Sequence, residues 1–339
     1  MPDDVTLLPT QRALTRAELA AVLAPLGRVS DHWTLSGGTF ASVQGVAFSD
    51  GTTVAVKTAV PDAAHPSGRS RLLGYEHHLL RTERDFLALL ERIDGVPAPA
   101  VLLWDDSLQC VDVEVLVMSL MPGMSWADGV EVMTADANAR ASSQVGEILA
   151  AVSTVRGPSF GMPAQGFRLG GSTWASFLER LLASVLADAA AWSVDIAPER
   201  LLAGWEVARE ALDEVTTPGL VHADLWHGNV LVDPQSGEVT GVVDFERSLY
   251  GDPLWGFSGA ETHASGPFDP AKVAGYERAI GRSLPNDARA RQRVALYRLW
   301  SMAVQLIEIE PRGFTGGWVD GHRASIVANR ERLFAILGV

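Results

Sequence analysis

Val221 to Phe245 reads VHADLWHGNVLVDPQSGEVTGVVDF. An apolar lead-in ends at His222, and Asp224 and Asn229 follow five residues apart. Next come a short apolar strand, a turn around Pro234-Gln235-Ser236-Gly237 and a second strand that delivers Asp244. A hairpin symmetric about Ser236-Gly237 sets Asn229 opposite Asp244, roughly 5 Å apart between Cβ atoms. An amide and a carboxylate converging there suit Mg²⁺, a hard ion that takes oxygen ligands and keeps several waters. Asp224 is left free to accept a proton. Any one of these residues alone would be an ordinary turn-former, because Asx side chains bond their own backbone in loops. All three at this spacing, between apolar strands, point to a site. His222 is expected to hold the loop by packing and hydrogen bonding. His222 and His227 make no zinc site, since no further His or Cys lies near enough in the sequence to complete one.

The chain has 339 residues, 47% hydrophobic and 20% charged, a globular composition long enough for two domains. No apolar run approaches the ~18 residues of a membrane span, and the N-terminal MPDDVTLLPTQRALTR lacks the apolar core of a signal peptide. A cytoplasmic protein is expected, without a membrane partner. The single cysteine, Cys110, excludes an internal disulfide, and its apolar neighbours predict a buried, inert thiol. A net charge of −14 argues against nucleic-acid binding and is compatible with a cationic small substrate or with simple solubility. Of the 27 basic residues only Lys57 and Lys272 are lysines, so a lysine inside a strand stands out.

Upstream, Thr15-Arg16-Ala17-Glu18 is a capping box opening a packing helix that Gly27 closes. From Trp33 the pattern alternates. A strand runs into Ser36-Gly37-Gly38-Thr39-Phe40-Ala41-Ser42, Val43–Phe48 returns, Asp50-Gly51 turns, and Thr53–Ala59 (TVAVKTA) is a third strand. Paired glycines let backbone N–H groups approach phosphate oxygens closely. Lys57 shares its strand face with Ala55 and Ala59, where a nucleotide has room. A long helix is expected over 70–93 with a leucine stripe, and Glu83 and Glu76 both lie on that stripe. A carboxylate facing inward needs a partner; Lys57 is the available cation, and Glu83 is favoured over Glu76. Val101–Trp104 and Val111–Met118 complete a five-stranded antiparallel sheet. Ser119-Leu120-Met121-Pro122-Gly123 then links to a helical remainder, and its backbone is free to pair with an adenine edge.

Ahead of the catalytic stretch, Thr134 and Ser172 are expected to cap helices and Pro198 to open a third. Downstream, 250–253 is read as a turn, followed by helices around 269–281, 286–310 and 318–336. The domains are therefore 1–118 with the nucleotide site, the link 119–123, and 124–339 with the catalytic loop and acceptor site. Trp226 and Trp255 flank the loop and are expected to wall an acceptor pocket, with His227, Glu261 and His263 nearby.

With these pieces in place the chain resembles the aminoglycoside phosphotransferase family, small-molecule relatives of protein kinases. LSGGTFAS, VAVK, LVMSLMPG, HADLWHGNVLV and VVDFERSLYGDP carry the resemblance, over about Leu35 to Arg282. It implies a bilobal, protein-kinase-like α+β fold with ATP or GTP as donor, Mg²⁺, and a hydroxylated small-molecule acceptor, an antibiotic ahead of a metabolite. By this resemblance Asp224 is the base, Asn229 and Asp244 hold Mg²⁺, and Lys57, paired with Glu83, contacts the α/β-phosphates. Ser36, Gly37, Gly38, Ser42, Ser119 and Leu120 complete the nucleotide site. A monomer or homodimer is expected. Gly256 departs from the family pattern, standing where a structural Asp is usual after Gly251-Asp252-Pro253.

Overall fold

A computed structural model describes residues 7–35, 38–60, 65–163, 166–262 and 264–339. The fold is α+β. Its larger sheet comprises β1 (Val29–Leu35), β2 (Ser42–Phe48), β3 (Thr53–Ala59), β4 (Val101–Asp105) and β5 (Glu114–Ser119). All pairs are antiparallel, in the order β1-β2-β3-β5-β4. Helix α1 (Arg16–Val22) opens with the Thr15–Glu18 capping box and ends before Gly27, to which a hydrogen-bonded turn continues. Leu19, Val22 and Leu23 pack on Val46, Val54, Val56, Val115 and Val117, one face of the sheet. Helix α2 (Leu79–Leu90) covers the other face, where Phe86, Leu87 and Leu90 meet Ala55, Ala59, Leu116 and Met118. With both faces covered, β3 is buried along nearly its whole length, and Lys57 with it.

Helix α2 is shorter than the leucine pattern predicts. His78 precedes it in the left-handed region (φ 61°), and 65–77 forms turns. Gly74 explains the interruption: its amide donates to Asp188 Oδ2 (2.9 Å), and a Cβ there would lie 2.1 Å from Ser184 Oγ. Leu72 and Leu73 are buried by tertiary packing, which a helical stripe imitates.

The remaining elements are β6 (Met124–Ser125), α3 (Trp126–Gly129), α4 (Ala135–Ser153), α5 (Trp174–Trp192), α6 (Pro198–Leu212), β7 (Gly219–Val221), β8 (Val230–Val232), β9 (Val239–Val242), β10 (Leu249–Gly251), α7 (Pro253–Ala260), α8 (Pro270–Ile280), α9 (Ala288–Arg312) and α10 (Trp318–Leu337). Thr134 caps α4 and Pro198 opens α6, whereas α5 is capped by Thr173, one residue beyond the expected Ser172. The segment read as a turn at 250–253 is instead β10, paired with β7, and then Asp252, which caps α7. Helices α4 and α8 cross at two glycines: a Cβ on Gly146 would lie 1.9 Å from Lys272 O, and one on Gly275 1.9 Å from Ser143 O. Gly256 lies beside α4 more loosely, its would-be Cβ 2.9 Å from Leu149 Cδ2, the movable end of a side chain, and 3.7 Å from Val221 Cγ1.

Cys110 is exposed, because the chain turns between β4 and β5 instead of continuing as a strand; the expected buried thiol is corrected. Among the described residues no helix is long and apolar enough to cross a membrane.

Candidate active site

Strand β7 is buried at all three positions and ends just before His222. The His222 ring bonds Val243 O (3.0 Å) and packs on Phe245 at 4.2 Å between centroids, tying the loop to the end of the β8–β9 hairpin. Burial lowers its pKa, so the ring is neutral and holds the loop. Beyond it the Asn229 amide donates to Asp224 O (2.8 Å), which leaves the amide oxygen as an available ligand atom.

The hairpin register differs from the symmetric one. Val230 pairs with Val242 and Leu231 with Gly241; a bulge then shifts Val232 onto Val239. Asn229 consequently faces Val243, whose N–H donates to Asn229 O (3.0 Å), and lies one residue out of line with Asp244. The cause is the Asp233–Gly237 turn. Asp233 Oδ1 accepts from Gln235 N and Ser236 N (both 2.9 Å), and Gly237 takes φ 73°, so the turn does not centre on Ser236-Gly237. Asp244 itself adopts φ 70°, a left-handed conformation uncommon for a residue with a side chain.

Lys57 is the hub. Its ammonium lies 2.7 Å from Glu83 Oε2 and 2.8 Å from Glu246 Oε2 and is hydrogen-bonded to Asp244 Oδ1. Glu83 also accepts from Phe245 N (3.2 Å), fixing α2 to the residue after Asp244. Glu76 is engaged elsewhere: it pairs with Arg312, both side chains fully buried. Burial depresses the Lys57 pKa, but Asp244, Glu246 and Glu83 outweigh it, and the ammonium is held well above its usual range. Burial, then Asp244, pushes Glu246 up to about 8, against the pull of Lys57. Burial also raises Asp224 to about 7, with Arg247 opposing at 3.9 Å and Asp244 adding to the rise. Arg247 is held by Glu308 (2.8 Å), which accepts from Tyr75 OH (3.0 Å).

The oxygens of Glu83, Asp244 and Glu246 lie within 4.8 Å of one another, gathered on the Lys57 ammonium, and are hard donors of the kind a divalent cation takes. Asp244 is a quarter exposed and Glu83 is sealed at 1%, so Asp244 presents the accessible side.

The other expected positions are spread more widely. Ser42 is buried and pairs with Thr58, next to Lys57 in register. Gly38 accepts a bond from Gln11, and Ser119 ends β5 with its hydroxyl bonded to Ala100 N. Leu120 is half-buried just beyond. Trp226 is exposed beside Asp224, its indole over Gly228, and His227 stacks on Trp126 at 3.9 Å. Trp255 is 2% exposed, packed against Trp174, Tyr297 and Trp300, and lines an apolar interior cavity with Leu178, Leu182 and Leu296 instead of standing open beside the loop. Glu261 pairs with Lys272 (2.9 Å) and Arg298 (3.6 Å). Ser36, Gly37 and His263 lie outside the described residues. Sequence reading missed Glu246 and Arg247. For Glu246 the Asp-x-Glu spacing after β9 was the available signal; Glu308, 61 residues beyond Arg247, gave none.

The profile of the phosphotransferase enzyme family matches residues 68–297, two-thirds of the chain. The chain belongs to that family. Among solved structures it is similar to a putative aminoglycoside phosphotransferase from Ralstonia eutropha (TM-score 0.66, 13% identity, covering 96% of this chain and 99% of that one). A putative fructosamine-3-kinase from Thermobifida fusca is comparably similar (0.63, 18%, 95% and 99%). So is a thermostable mutant of aminoglycoside phosphotransferase APH(4)-Ia in ternary complex with ADP and hygromycin B (0.58, 17%, 93% and 96%). No curated protein matches the chain in sequence. The five-stranded sheet beside a mostly helical part is thus that of a member of the phosphotransferase enzyme family.

Proposed function

We propose that this phosphotransferase moves the γ-phosphoryl group of ATP or GTP to a hydroxyl of a small natural product, with an antibiotic as the favoured acceptor. The observation that carries the reading is the Lys57–Glu83–Asp244 cluster next to the Asp224–Asn229 loop. In this reading Lys57, held by Glu83, contacts the α/β-phosphates, Gly38 and Ser42 lie along them, and Ser119-Leu120 meet the adenine edge. Residues 1–118 form the nucleotide lobe, 119–123 the link and 124–339 the acceptor lobe.

Asp224 orients the acceptor hydroxyl and takes its proton. The hydroxyl oxygen bonds to the γ-phosphorus, the bond from that phosphorus to the bridging oxygen breaks, and the nucleoside diphosphate leaves. A loose transition state of this kind depends mainly on positioning and electrostatics. Asn229 and Asp244 are the residues that would hold Mg²⁺, which when bound neutralises charge on the phosphate oxygens.

The antibiotic reading draws support from the hygromycin B complex of a similar structure. The fructosamine-3-kinase neighbour supports a second reading, a metabolite kinase. A coupled assay of nucleoside diphosphate release across antibiotics and hydroxylated metabolites separates them. Release that depends on the acceptor should fall by about 10²–10⁴ in Asp224→Ala, the range of a general base, while nucleotide binding persists. Near-normal turnover in that variant refutes the role of Asp224.

A further inference from the structure

Helix α9 runs through the interior. From Ala295 to Ile309 every residue is buried except Trp300, Ser301 and Gln305. These three open a window in an otherwise enclosed helix, and its neighbours place it beside Asp224. Glu308, one turn past Gln305, holds Arg247, whose Nε lies 3.9 Å from Asp224 Oδ2. On the other side Thr262 meets Ser301 Oγ (2.9 Å) and accepts from Gln305 Nε2 (3.3 Å). Thr262 follows α7, which packs against the catalytic loop: a Cβ on Gly259 would lie 3.1 Å from Asp224 N.

The window carries an indole, two hydroxyls and a carboxamide, with no charge. The Trp300 Nε1 donor is buried and meets no hydrogen-bond partner among the described residues. The acids bordering the window are already neutralised: Glu308 by Arg247, Glu76 by Arg312, Glu261 by Lys272. Of the carboxylates bordering the window only Asp224, 3.9 Å from Arg247, is not closely paired, so an ammonium group entering here would lose its water and could be neutralised only by taking up the proposed base. An uncharged ring bearing hydroxyls meets matching groups, because an aromatic face covers its C–H side and neutral donors and acceptors satisfy its hydroxyls. Trp226, exposed beside Asp224, offers a second aromatic surface.

We infer that Trp300, Ser301, Gln305 and Thr262 form an acceptor subsite for an uncharged hydroxylated molecule, a neutral glycoside or polyol with an apolar face, and not for a polycationic aminosugar. The inference rests on the phosphotransferase reading and sharpens its acceptor class.

The test uses the full chain with ATP and Mg²⁺. Salicin and p-nitrophenyl β-D-glucoside serve as neutral probes, kanamycin and hygromycin B as polycations. Nucleoside diphosphate release should respond to the neutral glycosides, with little dependence on salt. Gln305→Glu should raise KM for them by roughly tenfold, the value of one hydrogen bond made by the carboxamide donor. Wild-type turnover of kanamycin or hygromycin B, with KM rising with salt, overturns the inference and leaves the phosphotransferase reading standing. Absence of neutral-glycoside binding by saturation-transfer NMR also overturns it. Slow Asp224-dependent hydrolysis of ATP by water reports separately on the parent reading.

Discussion

Replacing Lys57 by Met keeps most of the side-chain length and removes the charge. Glu83, Asp244 and Glu246 would then face one another with oxygens within 4.8 Å and no cation between them. At such a separation two unit charges repel by roughly 3–4 kcal/mol at an effective dielectric of about 20. Partial protonation relieves some of this, and removal of one partner from a buried ion pair is generally destabilising by about 3–5 kcal/mol. An unfolding entropy of about 2.1 cal/mol/K per residue over 339 residues converts that loss to a fall in Tm of about 4–7 °C. The pH dependence has a definite sign. Glu246 is already raised to about 8 in the folded protein, so the folded state binds more protons than the unfolded chain between its ordinary value and there. Stability is lost as pH rises through that window. Lys57→Met widens it, and the deficit against the parent is largest near pH 8 and shrinks toward about pH 5. Calorimetric scans at both pH values, with and without MgCl₂, measure this, and added Mg²⁺ should recover part of the loss near pH 8. A variant melting within about one degree of the parent near pH 8, or equally impaired at both pH values, refutes the reasoning.

The remaining predictions are shorter. Asp224 must be ionised to act as a base, so kcat/KM should fall below about pH 7; Arg247→Met should move that limb upward, because Arg247 is the partner that lowers the carboxyl. A flat profile from pH 6 to 8 contradicts it. Arg312→Met leaves the buried Glu76 with Arg247, 4.0 Å away, as its remaining cation and should destabilise by up to about 3–5 kcal/mol; adding Glu76→Gln should restore part of this, which denaturant titration of the double-mutant cycle reads. Gly146→Val drives a side chain into the backbone of α8 and should lower stability by at least about 1–3 kcal/mol, whereas the same change at exposed Gly321 in α10, with open space around its would-be Cβ, should leave the tertiary packing intact by near-UV circular dichroism.

Much of this was legible in the sequence for local reasons. Alternation over Thr53–Ala59 fixes the strand and the face of Lys57, and the inward carboxylate at Glu83 on the stripe of α2 then needs that cation. The Asp224–Asn229 spacing and the strand ending at Val242 identify the loop and Asp244. What escaped depends on tertiary context. Hairpin register was misread because Asp233 bonds its own turn and creates a bulge, a choice made by side-chain hydrogen bonds and not by periodicity. The helix expected from residue 70 failed at Gly74, whose amide is taken by Asp188 of α5, 114 residues away. Trp255 lies near the loop in sequence, but Asp252 starts a helix that turns its indole toward an apolar interior cavity, which sequence nearness does not reveal.

The cluster around Lys57 joins residues far apart in the chain, Asp244 coming 187 positions after Lys57. At about 5–20 residues per second a ribosome takes roughly 10–40 s to make that interval, and Lys57 emerges long before two of its three carboxylate partners. During this time β3 carries a cation whose native shell does not yet exist. A chain interrupted before Asp244 can therefore build the sheet without building the cluster, and the order of synthesis makes the lysine in β3 wait for the carboxylates that follow β9.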